Sequence, residues 1–380
     1  MKILITSLPD LKKINPQRPH HLIQFLLKEH DITILSVNAW WLNESNDDFL
    51  KESLEGVNYY YLTDKKMHPL FQELLSFIRF KKLDLSSYDL HLNLNSLIMG
   101  FFISKKMNNL GIQTVFDICD DLPEVFRNSP RLPKFSQHLS VFIGRYMMNK
   151  IVKMSSKITY ATPSLAKNYD FPNEKSFHIP NGVNVNLFKV RNNDLPKDNT
   201  FYMGFVGVLS EWVDLIPAFS ALKYLKESFK IKMIVVGDGI KLDEFKKYVI
   251  DQGIQRNVVF TGNASYKKVA YYVSLMDVCL ISRKTTQDSQ NSHPIKLFEY
   301  LALEKPVIST PLSGVKDVVG DRIYYASTSD EIEKIIRIIY ENQKLTKEIG
   351  MQNRKFVVDN YSWHKISSDF NKVLKKEALS

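Results

Sequence analysis

The 380-residue sequence predicts an α/β protein built from two doubly wound parallel sheets in series. Three observations carry this. Short aliphatic and β-branched runs alternate with helical patterns through the first half, as in successive βαβ units. A polar tract at 191–200, Arg-Asn-Asn-Asp-Leu-Pro-Lys-Asp-Asn-Thr, has the composition of a linker. The alternation then restarts, and glycine follows one strand after another.

In order, strands are expected at 2–7, 32–37, 57–62, 90–94 and 113–118, with helices at 18–29, 69–82 and 96–109 between them. A long helical stretch, 134–154, leads to a strand at 157–161, a short helix, and Ser176-Phe177-His178-Ile179-Pro180-Asn181-Gly182-Val183-Asn184, where Asn-Gly marks a turn. In the second half strands are expected at 201–207, 232–236, 258–260, 278–281 and 307–310, with a helix at 294–303 and an amphipathic helix at 361–379. The domains are therefore 1–185 and 201–360, with a linker at 186–200 and a terminal helix at 361–380.

Composition excludes several classes. Hydrophobic content of 44% and charged content of 24% belong to a globular chain rather than a disordered one. The apolar runs are too short to span a membrane, and residues 1–7 are too short and strand-like for a signal peptide. Cys119 and Cys279 lie in separate runs without paired spacing, so reduced, buried thiols are expected and no zinc site. Together these favour a cytoplasmic protein. The net charge of +10 suits nucleic acid, a phosphorylated substrate or an anionic membrane face. Its clusters, Arg79-Phe80-Lys81-Lys82 and residues 145–157, are either solvated faces or a peripheral membrane dock, and no nucleic-acid module accompanies them.

The most informative stretch is 288–320. Ser292 is read as N-cap and Pro294 as the first helical residue of the 294–303 helix. Such a helix start presents unpaired N–H groups and a positive dipole end, which suit a phosphate. Lys296 and Glu299, three apart, share one face with the cation nearer that end. Two readings stand: the lysine meets a diphosphate while the carboxylate accepts from a ribose diol, or the two form a surface ion pair worth a fraction of a kcal/mol. Gly207, Gly237 and Gly262 follow strands, where the backbone passes close to a ligand or simply turns. Arg283 and Lys284 are loop cations beside the same segment.

In the first half the strand ends carry Ser7-Leu8-Pro9, Asn38-Ala39-Trp40-Trp41 and 117–124. The first of these lacks a Gly-rich fingerprint, so the nucleotide belongs to the other half. Arg18, His20 and His21 at a helix start either touch an acceptor or phosphate, or serve capping and surface roles. Asp120 and Asp121 can raise one another's pKa and supply a general base for an acceptor hydroxyl, bind a cation, or cap the next helix.

The run His293-Pro294-Ile295-Lys296-Leu297-Phe298-Glu299-Tyr300-Leu301-Ala302-Leu303-Glu304-Lys305-Pro306-Val307 resembles the nucleotide-sugar segment of GT-B glycosyltransferases, particularly family 4 and its relatives. Phe205-Val206-Gly207-Val208-Leu209, Val235-Val236-Gly237-Asp238-Gly239 and Val259-Phe260-Thr261-Gly262-Asn263 are similar to that fold's donor-domain motifs, and residues 178–184 to the segment closing its first domain. The resemblance covers most of 176–320. It implies two facing Rossmann-like domains with a cleft between them, a terminal helix returning to the first, and transfer of a hexosyl group from a nucleotide-sugar, UDP-linked by family frequency, to an acceptor hydroxyl on a glycan or lipid-linked glycan. Glu299 would hold the ribose, and Lys296 with Arg283 or Lys284 would meet the diphosphate. Gly207 and Gly314 would allow close backbone approach, and the Ser313-Gly314-Val315 N–H groups would support the leaving group. The loop Asn291-Ser292-His293 would lie beside the donor.

Three departures stand out. Asn291 replaces a glutamate that many members carry near the transferred sugar, Glu304 replaces a helix-ending glycine, and Val208-Leu209-Ser210-Glu211-Trp212 lacks the usual post-glycine Arg and Lys. A GT-B epimerase or a non-catalytic GT-B subunit would use the same cradle. No Asp-x-Asp triplet occurs, so no metal or other cofactor is expected.

Overall fold

The computed structural model describes residues 1–68, 71–75, 84–127, 134–190, 199–290 and 294–375. The chain forms two compact units, Met1–Pro180 with His364–Ser380, and Asn181–Trp363.

The first unit holds a seven-stranded sheet: β1 (Lys2–Ser7), β2 (Asp31–Ser36), β3 (Asn58–Tyr61), β4 (Leu90–Leu94), β5 (Gln113–Ile118), β6 (Lys157–Tyr160) and β7 (Ser176–His178). All pairings are parallel, in the order β3-β2-β1-β4-β5-β6-β7. Ile5 lies between Ile34 and Leu92 in register, and Ile3, Leu4 and Ile5 are all fully buried. A central strand covered by helices on both faces needs apolar residues at every position, which is why β1 reads as a continuous run. The 12-residue helix Ile98–Asn109 packs Met99, Ile103 and Met107 under β1 and β2. Lys134–Met154 packs Met148, Ile151 and Val152 with Phe116 and Ile158. The final helix, Trp363–Lys375, buries Ile366, Phe370, Val373 and Leu374. It is tied to this unit by Asn371 Oδ1 on His30 Nε2 at 2.8 Å and by Lys375 on Glu29 at 2.7 Å.

The second unit holds six parallel strands: β8 (Phe201–Val206), β9 (Ile231–Val236), β10 (Val258–Gly262), β11 (Val278–Ile281), β12 (Val307–Ser309) and β13 (Tyr324–Tyr325). Their order is β10-β9-β8-β11-β12-β13, so the winding reverses between β8 and β11. The crevice at the carboxyl ends of such a pair is where an open α/β sheet binds ligands. Two-residue β13 carries too little pattern to be read from sequence. The expected helix at 69–82 is helical at 71–75, and its remaining positions 69–70 and 76–82 lie outside the described residues, as does most of the linker, 191–198. Arg79, Lys81 and Lys82 of the first basic cluster fall there too.

Candidate functional site

The site in the second unit begins as a backbone platform at the ends of β8, β9 and β10. Gly207 donates to Val236 O and Gly237 to Gly262 O, both at 2.9 Å. Gly207 has φ 140° and Gly237 has φ 137°. A Cβ on Gly237 would strike the Gly207 carbonyl. These two glycines therefore serve close packing of backbone on backbone. At Gly207 a second constraint applies, because a Cβ there would sit 2.5 Å from Lys296 Nζ. The lysine thus reaches from its helix to the carboxyl end of β8.

That helix, Ile295–Ala302, follows β11. Its N-cap is Pro294, at φ −72° and ψ 141°, and not Ser292. The pyrrolidine ring already fixes the φ a cap residue tolerates, so Pro294 stands one position earlier than read. No side chain caps the helix there, and Leu297 N–H closes onto Pro294 O at 3.0 Å. Asn291, Ser292 and His293 lie outside the described residues. Tyr300 fixes the helix to β8, accepting from Val206 N–H at 2.9 Å. At the other end Glu304 takes φ 59°, the left-handed geometry its glycine-like position requires, at a cost of about 1 kcal/mol.

Lys296 and Glu299 do not form an ion pair. Lys296 Nζ lies 4.1 Å from the Phe205 ring centroid, a cation–π contact. Glu299, 6% exposed, lies close to the Tyr266 hydroxyl. The surface ion-pair reading does not describe them. Burial, reinforced by the nearby Arg283 charge and opposed by Glu299, lowers Lys296 to about 7. Burial lifts Glu299 to about 7 against the pull of Tyr266 and Lys296. A cation and a carboxylate one turn apart, each short of a full counter-charge, are poised for a ligand that brings an anion to one and hydroxyls to the other.

The flanking loops divide the remaining candidates. Arg283 is partly buried and held by its backbone, its N–H donating to Thr310 Oγ1 at 3.1 Å. Lys284 N–H goes to Trp212 O at 2.8 Å and its side chain is exposed. Gly314 and Val315 are buried in the short helix Ser313–Val319. Val315 N–H closes onto Leu312 O at 3.1 Å, and Ser313 N–H donates to Gln290 Oε1 at 2.8 Å. Of the three N–H groups expected to turn to a ligand, two are engaged, one by Leu312 O within the turn and one by the Gln290 side chain.

In the first unit the acceptor-side expectation for Arg18, His20 and His21 gives way to structural roles. Arg18 is 2% exposed and grips Asp117 in two bonds, Nε to Oδ2 at 2.9 Å and Nη2 to Oδ1 at 2.7 Å. Its Nη1 donates to Pro180 O at 2.8 Å. Three of the five guanidinium N–H groups are engaged and the side chain is shut away from solvent. His20 accepts from Gln17 N–H at 3.0 Å through Nδ1 and donates from Nε2 to Leu11 O at 2.9 Å, which fixes a neutral ring whose pKa burial lowers. His21 is buried against Phe49, ring centroids 4.6 Å apart, and burial holds it well below the usual histidine range.

Asp120 and Asp121 part ways. Asp121 is 5% exposed, takes the Tyr169 hydroxyl and caps Glu124 N–H at 3.4 Å, and burial first, then Glu124, raises its pKa. Asp120 is exposed at the end of β5. Sequence reasoning missed Tyr266 and Phe205, because a tyrosine and a phenylalanine at core spacing read as packing. Among the described residues no cluster of three or more His, Cys, Asp or Glu could hold a metal.

Residues 188–356 match the family model for glycosyl transferases group 1. Over 259 residues the chain is 25% identical to an uncharacterized glycosyltransferase of Methanocaldococcus jannaschii, covering 64% of each. Over 102 residues it is 30% identical to the alpha-monoglucosyldiacylglycerol synthase of Streptococcus pneumoniae, 27% of this chain and 22% of the other. The matches span less than two thirds of either relative. Among solved structures the chain is similar to HepE of Anabaena in complex with UDP, with TM-score 0.74 and 17% identity over 99% of this chain and 100% of the other. At that identity the likeness shows the fold, two Rossmann-like parallel-sheet units of GT-B type.

Proposed function

We propose that this chain is a glycosyltransferase that moves a hexosyl group from a UDP-linked donor to an acceptor hydroxyl on a glycan or lipid-linked glycan. The observation that carries the reading is the unpaired Lys296 and Glu299, one turn apart at the winding reversal of the second sheet. Glu299, ionised, accepts from the two ribose hydroxyls, and a bidentate diol suits its two oxygens. Lys296, with Arg283, meets the diphosphate and neutralises the charge that grows on it as the glycosidic bond breaks. Gly207 keeps the approach open, since any side chain there would compete with the lysine. In the first unit Asp120, exposed at a strand end, is the better placed general base, because Asp121 is buried.

HepE binds UDP, which supports the uridine assignment, and the Streptococcus synthase has a glucosylated diacylglycerol in its name, which supports a lipid-linked acceptor. An anionic membrane face is where such an acceptor would be met. Glu299→Ala should weaken UDP or GDP binding by about 1–3 kcal/mol, the worth of hydrogen bonds to a charged group. Calorimetric affinity unchanged by that substitution would reject the role.

A further inference from the structure

The Lys134–Met154 helix carries a second apolar face that its own unit does not use. On its inner side Val141 (5% exposed), Met148 (0%) and Ile151 (0%) join the core. On its outer side Leu139 is 59% exposed, Phe142 71%, Ile143 46% and Tyr146 55%. The spacing i, i+3, i+4, i+7 puts all four on one stripe, roughly opposite the buried line. One turn further on, exposed Lys150 and Lys153 continue the stripe, and Lys150 Nζ lies 5.4 Å from the Tyr146 ring centroid. Residues 134–154 contain no Asp or Glu.

Large side chains in water at four positions of one stripe are a cost to the free protein, and such patches mark contact surfaces. Charge decides the occupant. Lysines beside aromatic and aliphatic side chains, without a carboxylate, match an anionic lipid interface: apolar groups enter the acyl boundary while lysines meet headgroup phosphates. Pairing with the same stripe of a second copy would bring no carboxylate to Lys150 and Lys153. The chain's net charge of +10 acts in the same direction. No helix among the described residues is long and apolar enough to cross a membrane, so this contact lies on the surface.

We propose that Leu139, Phe142, Ile143 and Tyr146, with Lys150 and Lys153, form a face that docks the first unit on an anionic lipid bilayer. This deepens the membrane partner proposed above and is independent of the donor site. The test is co-sedimentation of the full chain with phosphatidylglycerol-rich vesicles. Binding is expected there, falling as salt rises, and absent with phosphatidylcholine alone. The double variant Leu139→Asp, Phe142→Asp should lower the partition about 100-fold. Lys150→Glu with Lys153→Glu should lower it about 25-fold at low salt, roughly fivefold for each lysine.

Because these residues are exposed, circular dichroism and UDP affinity of both variants should match the parent. As a readout without disruption, Phe142→Trp should blue-shift its emission when anionic vesicles are added. A parent that stays in the supernatant, variants that bind as well as it does, or an unshifted Trp emission would each overturn the proposal. So would a parent dimer that the aspartates split without any vesicle binding. UDP affinity is read separately, so either proposal can fail while the other stands.

Discussion

The pH dependence of nucleotide binding follows from Lys296 and Glu299 and can be worked in advance. In the free protein burial and Arg283 bring Lys296 to about 7, and burial brings Glu299 to about 7. A diphosphate needs the lysine protonated, and a ribose diol needs the carboxylate ionised. Above pH 7 the free lysine has lost its proton and must regain it on binding, where the bound anion favours the charged form. Affinity therefore falls towards a limit of tenfold per pH unit, about eightfold between pH 7 and 8.5, because each group is only half in its binding form at pH 7. Below pH 7 Glu299 holds a proton it must release, and the slope has the opposite sign. UDP affinity should trace a bell centred near pH 7.

The assay is calorimetry at constant ionic strength on the parent, Lys296→Met and Glu299→Gln, with the ligand's own titration common to all three. The lysine variant should lose the alkaline limb. Its acid limb should move to higher pH, because Glu299 has lost a nearby cation. The glutamate variant should lose the acid limb and shift the alkaline one to lower pH. A parent profile no different from either variant, or a limb that survives the substitution assigned to it, would refute the reasoning.

Three further outcomes separate the roles assigned above. Gly207→Ala should abolish measurable UDP binding and lower Tm, since its methyl meets Lys296 Nζ in a backbone geometry that L-residues avoid. Near-normal binding would show that Lys296 does not reach β8. Arg18→Met should cost about 3–5 kcal/mol in chemical denaturation by stranding the buried Asp117 carboxylate, with UDP affinity unchanged. A stable variant defective only in acceptor affinity would restore Arg18 to the acceptor side. Asp120→Asn should lower transfer kcat at least tenfold with unchanged donor affinity and Tm, whereas Asp121→Asn should lower Tm. The reverse pattern would exchange the two aspartates.

Sheet strands and the donor helix were legible because parallel strands buried on both faces leave continuous apolar runs, and Lys296 and Glu299 share a face by local helical geometry alone. Partners distant in sequence were not legible. Arg18 lies 99 residues from Asp117, so nothing near it says that its charge is already satisfied. Tyr266 reaches Glu299 from another helix, and its position reads as core. The glycines carry two readings in sequence, room for a ligand or a tight turn. At Gly237 the structure shows close packing of β9's end against the Gly207 carbonyl. The 134–154 helix was legible in extent, but an apolar stripe in sequence does not say whether it faces inward or outward. Only the packing of Met148 and Ile151 beneath it reveals that Phe142 and Tyr146 are turned out.

The most direct measurement is a crystal structure of the chain soaked with UDP. The ribose hydroxyls should lie within hydrogen-bond distance of both Glu299 carboxylate oxygens, with the pyrophosphate on Lys296 Nζ above Gly207. UDP bound elsewhere, or bound with Glu299 turned away from the ribose, would contradict these roles.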